Sequence, residues 1–98
     1  MPGASRLGDT LTTGHACSAT STVATGSSSV FINSISAARQ GDIVAPHTIL
    51  VGIYCVPHSA VVNAGSSSVF INGIPAARIG DSADMGALIQ GSSDVYIG

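Results

Sequence analysis

Residues 26–42 read GSSSVFINSISAARQGD, and residues 65–81 read GSSSVFINGIPAARIGD. The two differ at three of seventeen positions: Ser34 against Gly73, Ser36 against Pro75, and Gln40 against Ile79. A fixed internal repeat is the signature of a body built from stacked or rotated copies of one unit. Two half-copies extend the pattern. Arg6-Leu7-Gly8-Asp9 matches the R-x-G-D ends of both repeats, and Gly91-Ser92-Ser93-Asp94-Val95-Tyr96-Ile97-Gly98 matches their GSSSVFIN starts. The chain thus holds three R-x-G-D corners and three G-S-S-x-V-[FY]-I strands.

The repeat fixes the local structure. Val30-Phe31-Ile32, Val69-Phe70-Ile71 and Val95-Tyr96-Ile97 are β-branched and aromatic runs bounded by Gly and Ser, which read as strands. Asn72-Gly73 predicts a tight type I′ hairpin turn, which needs positive φ at both central residues. Asn33-Ser34 lacks the glycine, so the first copy is expected to turn more loosely or by another type. Pro75 cannot donate to a ladder and belongs at an edge or a strand start. Gly8, Gly41 and Gly80 are expected to take left-handed backbone angles, with the neighbouring Asp accepting backbone N–H bonds. Ser36-Ala37-Ala38 and Pro75-Ala76-Ala77 are too short to propagate a helix. The expectation is one all-β domain over residues 1–98, in which three quasi-equal units form a pseudo-threefold body. Such a body matches a partner made of three identical chains.

Composition narrows the function. Charged residues are 8% of the 98, against about 25% in an ordinary soluble domain. There is no Lys and no Glu, and all three cations, Arg6, Arg39 and Arg78, lie in the corners. A net charge of −2 with scattered Arg argues against nucleic acid, which demands clustered cations. The hydrophobic fraction of 45% argues against disorder. No apolar run approaches the ~18 residues of a membrane span, and Met1 to Arg6 does not read as a signal peptide.

All three His and both Cys lie in the longer connections between repeated strands: His15, Cys17, His47, Cys55 and His58. Structural Zn²⁺ takes four N/S ligands in a tetrahedron. Three imidazoles and one thiolate fill that shell. Cys55-x-x-His58 allows two ligands from one turn, and His15-x-Cys17 makes Cys17 the rival for the fourth place. The reading favours His15, His47, Cys55 and His58, with zinc as the ion and iron open. A Cys17–Cys55 disulfide is the competing fate of the thiols, expected to be disfavoured in a reducing cytoplasm. Catalysis is not expected: no G-x-S-x-G elbow exists, and the Asp residues belong mostly to the corners.

Pro75-Ala76-Ala77-Arg78, with Ser36-Ala37-Ala38-Arg39 as its degenerate first copy, resembles the motif that names the PAAR-repeat family. The resemblance runs from Arg6 to Gly98. It implies a cone-shaped β fold with a metal near its apex, bound by three His and a Cys. It also implies a non-enzymatic tip that caps the trimeric β-helical spike of a phage tail or type VI secretion system. One cap would bind each trimer at its wide base, sharpen it and help pierce the target envelope through transient membrane contact; an effector-carrying adaptor of the spike and a free-standing metallo-hydrolase are the alternative readings. A fused effector domain is not expected. His15, His47 and His58 match the family's imidazoles. Some relatives place the thiolate after the last R-x-G-D, where this chain has Ala83-Asp84-Met85-Gly86; its absence there leaves Cys55 or Cys17 for the role.

Overall fold

In each R-x-G-D corner the aspartate turns back onto its own arginine. Asp9, Asp42 and Asp81 accept the backbone N–H of Arg6, Arg39 and Arg78 at 2.7–2.8 Å. They also take two guanidinium N–H groups at 2.9–3.2 Å. Bidentate pairs of this kind are the stronger, geometrically specific ones. The turn closes only because Gly8, Gly41 and Gly80 sit at φ +88°, +88° and +95°, which side chains rarely adopt. The remaining guanidinium N–H of each Arg reaches the next unit: Arg6 to Asn33 Oδ1, Arg39 to Asn72 Oδ1, and Arg78 to the Gly98 carbonyl. Every cation is therefore spent on holding units together.

The computed structural model describes residues 1–98 as ten short strands with no helix. Every sheet is a two-stranded antiparallel hairpin. The repeated segments form β3 (Phe31–Ile32) with β4 (Ile35–Ser36), and β7 (Phe70–Ile71) with β8 (Ile74–Pro75). Asn72 and Gly73 lie at φ +55° and +76°, the I′ geometry. The looser turn expected at Asn33-Ser34 is not found. Asn33 and Ser34 lie at φ +53° and +64°, so the same turn forms with Ser34 held left-handed. Shared tertiary contacts impose the turn on the first copy in spite of its missing glycine.

A second hairpin follows each corner, and these three differ in length. The first is β1 (Thr10–Thr12) with β2 (Thr20–Thr22); the second is β5 (Ile43–Val51) with β6 (Tyr54–Val61); the third is β9 (Ser82–Ala83) with β10 (Gly86–Ala87). Bridges join them in a closed ring: Val23 to Val44, Val62 to Ala83, and Leu88 back to Leu11.

The threefold relation is explicit in the backbone. Ala38 N–H donates to Ser5 C=O, Ser5 N–H to Ala77 C=O, and Ala77 N–H to Ala38 C=O, each at 3.0 Å. A second ring runs from Leu7 to Ser36, Gln40 to Pro75, and Ile79 to Gly3. The two terminal half-copies are one unit: Ser92 N–H donates to Ala4 C=O and Ala4 N–H to Val95 C=O, as Ser27, Ala37 and Val30 do in the first copy. Two apolar layers fill the axis. Ile32, Ile71 and Ile97 pack with Ala4, Ala37 and Ala76. Val23, Val62, Leu88, Leu11, Val44 and Ala83 pack with Ala38 and Ala77. The alanines of the A-A-R motif are fully buried, because three backbones meet there and leave no room for larger side chains.

Ser34 offers a direct check on the forced turn. Ser34→Gly should raise unfolding free energy by about 1 kcal/mol, because glycine meets no penalty at positive φ. Gly73→Ser should lose a similar amount. Urea denaturation of the two variants measures both, and no gain from Ser34→Gly would contradict the strained-turn reading.

Candidate metal centre

Each second hairpin delivers chemistry to one point. The 13–19 connection of the first brings His15, the paired strands of the second bring His47 and His58 directly opposite one another, and the two-residue turn of the third brings Asp84. The first and third hairpins approach closely because Gly14 and Gly86 lack side chains. A Cβ on Gly14 would meet the Met85 carbonyl oxygen at 2.2 Å, and one on Gly86 the Thr12 carbonyl oxygen at 2.1 Å. Asp84 itself sits at φ +54°, an uncommon angle for a non-glycine residue that Asp tolerates better than most. Backbone strain of this kind gathers at functional sites.

The ligand atoms of His15, His47, His58 and Asp84 all lie within 4.8 Å of one another. Asp84 Oδ2 is 2.8 Å from His15 Nε2 and 2.7 Å from His47 Nε2, and Oδ1 is 3.1 Å from His58 Nε2. The His15, His47 and Asp84 side chains are 6%, 4% and 3% exposed, and His58 is 26% exposed. The three rings stand 4.9–5.1 Å apart.

The partners of the far ring nitrogens set the tautomers. His47 Nδ1 faces the Ala45 carbonyl at 2.7 Å, and His15 Nδ1 faces the Ala16 carbonyl at 3.2 Å. A carbonyl only accepts, so Nδ1 holds the proton and a neutral ring presents an Nε2 lone pair. The Nε2 atoms of His15 and His47 are 3.3 Å apart, and both face a carboxylate oxygen. Lone pairs so arranged need a positive charge among them, either a proton or a metal ion. Two ligands each at 2.0–2.1 Å from a tetrahedral ion lie about 3.3 Å apart, which is the spacing of the two nitrogens. Backbone carbonyls on the far ring nitrogens are the usual outer support of metal-bound imidazoles.

Titration follows the same logic. Burial works against the charged form of His15 more than any single contact favours it, but the bond to Asp84, the bond to the Ala16 carbonyl and the Asp84 charge together raise the imidazole above its ordinary pKa. Burial alone would raise Asp84, but bonds from His58, His15 and His47 bring its carboxyl below the usual range. Asp84 is therefore ionised at neutral pH, and His15 holds its proton longer than a free imidazole does.

The thiolate assigned to this site is absent from it. Cys55 is bonded to Cys17 in a disulfide. Cys55 also lies three residues from His58 on one strand, so its side chain leaves the opposite face about 10 Å away. Chelation by Cys55-x-x-His58 required a turn, and the segment is a strand. Asp84 takes the fourth position instead, within the segment 83–86. Its signal in the sequence, shared only with Asp94, was that it belongs to no R-x-G-D corner. The disulfide pins the His15 connection to the long hairpin, beside Ser18 N–H bonded to the Thr48 carbonyl. A His15/His47/His58/Asp84 group can thus hold a metal ion, with the ion's identity set by a mixed nitrogen–oxygen shell. No protein-family model and no curated protein sequence matches the chain.

Titration calorimetry should find one zinc per chain, with Asp84→Ala weakening binding roughly tenfold or more. The Cys17→Ser/Cys55→Ser double variant should keep the zinc while losing up to about 4 kcal/mol of stability, the chain-entropy value for a loop of this size. Zinc lost with the cysteines and kept without Asp84 would reverse the assignment.

Protons compete with the metal for imidazole. The rise in melting temperature on adding zinc should therefore be large at pH 7.5 and shrink by pH 5.5, as protons displace the ion from His15, whose imidazole holds its proton more tightly than usual. Equal zinc-induced shifts at both pH values would argue that histidine does not bind the ion.

Proposed function

We propose that the chain is a PAAR-type spike tip: a non-enzymatic cap, seated on a trimeric β-helical spike of a contractile injection machine, whether phage tail or type VI secretion system. The observation that carries this reading is the closed ring of backbone bonds among Ser5, Ala38 and Ala77, which makes one chain threefold. A single polypeptide gains from internal threefold symmetry when it must meet three identical chains on one axis.

The surface at the repeated strands supports it. Phe31, Phe70 and Tyr96 occupy equivalent positions, opposite in facing to the buried Ile32, Ile71 and Ile97, and are 56%, 55% and 52% exposed. Three matched aromatic side chains are suitable anchors for a trimeric partner, since buried aromatics dominate binding energy at interfaces. At the other end the three second hairpins converge on the ligand cluster. Little core volume exists there, and binding energy for an ion adds directly to folding energy. A four-ligand shell also leaves no open position for substrate, which favours a structural ion over a hydrolytic one. The molecule measures 41 × 24 × 20 Å, an elongated shape suited to extending a spike.

Mixing the chain with its cognate trimeric spike should give a complex of one cap to three spike subunits by native mass spectrometry. Replacing Phe31, Phe70 and Tyr96 together by Asp should abolish it while the variant still binds zinc. Absence of any complex with the unaltered chain would overturn the proposal.

A further inference from the structure

His15 reaches the ligand cluster from a span with few ties of its own. Thr13 is fixed at one end of that span: its N–H meets the Ala19 carbonyl and its carbonyl takes the Met85 N–H, each at 3.0 Å. Ser18 is fixed at the other, with its N–H on the Thr48 carbonyl at 3.2 Å and its Oγ taking the Thr48 N–H at 3.1 Å. Between them the N–H groups of Ala16 and Cys17 have no backbone partner. Cys17 nevertheless sits at φ +80°, an angle unfavourable for an ordinary side-chain-bearing residue. The covalent constraint on this span is the bond from Cys17 to Cys55 on β6.

We infer that Cys17–Cys55 is a reversible thiol–disulfide site that sets the affinity of the metal centre through His15. The oxidised chain presents His15 to the ion, and the reduced chain lets it withdraw. The inference goes beyond the capping reading and does not depend on it. It rests on the metal centre alone.

Both cysteines are exposed residues, and Cys55 lies on the face of the hairpin away from the imidazoles. Reduction therefore does not require the chain to unfold. The reductant is a small thiol of the glutathione class. Its thiolate attacks one sulfur and displaces the other, and a second thiol resolves the mixed disulfide. Cys17 and Cys55 end as thiols, having gained two electrons and two protons, and the reductant ends as its own disulfide.

Once the bond is broken, Cys17 is free to leave the left-handed region. Ser18 stays anchored to Thr48, so rotation about φ of Cys17 carries Ala16 and His15 with it. The other ligands have no such freedom. His47 and His58 face each other on paired strands, and Asp84 sits in a two-residue turn whose flanks are paired. Loss of the disulfide thus acts on one ligand of four. The two equilibria are linked: a disulfide that tightens the ion is itself protected by the ion, by the same factor.

Zinc affinity, measured by competition with a chromophoric chelator at pH 7.5, tests this on the chain in its two redox forms, each freed of reductant under nitrogen. The reduced chain should bind roughly tenfold or more weakly, as when a group that orients a ligand is removed. In glutathione buffers, saturating zinc should make the disulfide harder to reduce by the same factor, about 30 mV for tenfold in a two-electron couple. His15→Ala, which retains His47, His58 and Asp84, should bind zinc weakly but equally in both forms. That arm separates withdrawal of His15 from a general loosening of the chain, which would weaken zinc in the variant as well. Cys17→Ser/Cys55→Ser should keep one zinc at the affinity of the reduced chain. Equal affinity of the two redox forms overturns the inference, as does a redox effect that survives in His15→Ala. Tighter zinc in the reduced chain than in the serine variant also overturns it, and would make the freed thiols ligands. Failure of both forms to bind zinc removes the metal centre itself, whereas bound zinc with no redox effect removes only the coupling.

Discussion

Three backbone N–H groups and three carbonyls around one axis satisfy only each other. Ser5, Ala38 and Ala77 close that triangle at 3.0 Å on every side, in a place no water reaches. An unpaired buried amide costs on the order of 1–3 kcal/mol, so the three units form together or not at all. Much else follows. Small residues are required at the axis, hence the paired alanines of the repeat. Each arginine is directed outward into its own aspartate and across to the next unit. Each corner then launches a second hairpin from an equivalent position, and the three meet above the triangle.

The meeting point is where the symmetry is broken. The second hairpins are short, medium and long, and they contribute Asp84, His15, and the His47–His58 pair. A strictly threefold apex would offer three identical ligands and no fourth. Unequal hairpins supply four donors of mixed type and leave one hairpin to run on past them. The broad end thus keeps the repeat and its matched aromatic side chains, while the narrow end departs from it. Stability is divided the same way: apolar layers hold the threefold body, and the disulfide and ligand cluster hold the end that has little core.

Much of this was legible in the residues. The near-identity of 26–42 and 65–81, the β-branched and aromatic runs around Phe31 and Phe70, and the Asn72-Gly73 turn all express local rules that act over a few positions. Histidines confined to the connections stood out because no repeated strand carries one. What stayed hidden depended on contacts between distant segments. Ser34 adopts a glycine's backbone angle because its unit must match the others. Cys55 looked like a partner of His58 because three residues can span a turn, but the hairpin is straight there and alternation sends the two side chains apart. Asp84 was masked by company, one aspartate among five, although it alone among 83–86 carries a carboxylate.

The account stands on three hairpins, sprung from one threefold ring, closing on a single ion. A crystal structure of the zinc-loaded chain, with anomalous scattering recorded at the zinc edge, examines this most directly. One strong peak should appear within bonding distance of the Nε2 atoms of His15, His47 and His58 and the carboxylate of Asp84. A peak bound to cysteine sulfur, or imidazoles directed away from each other around no peak, would contradict it.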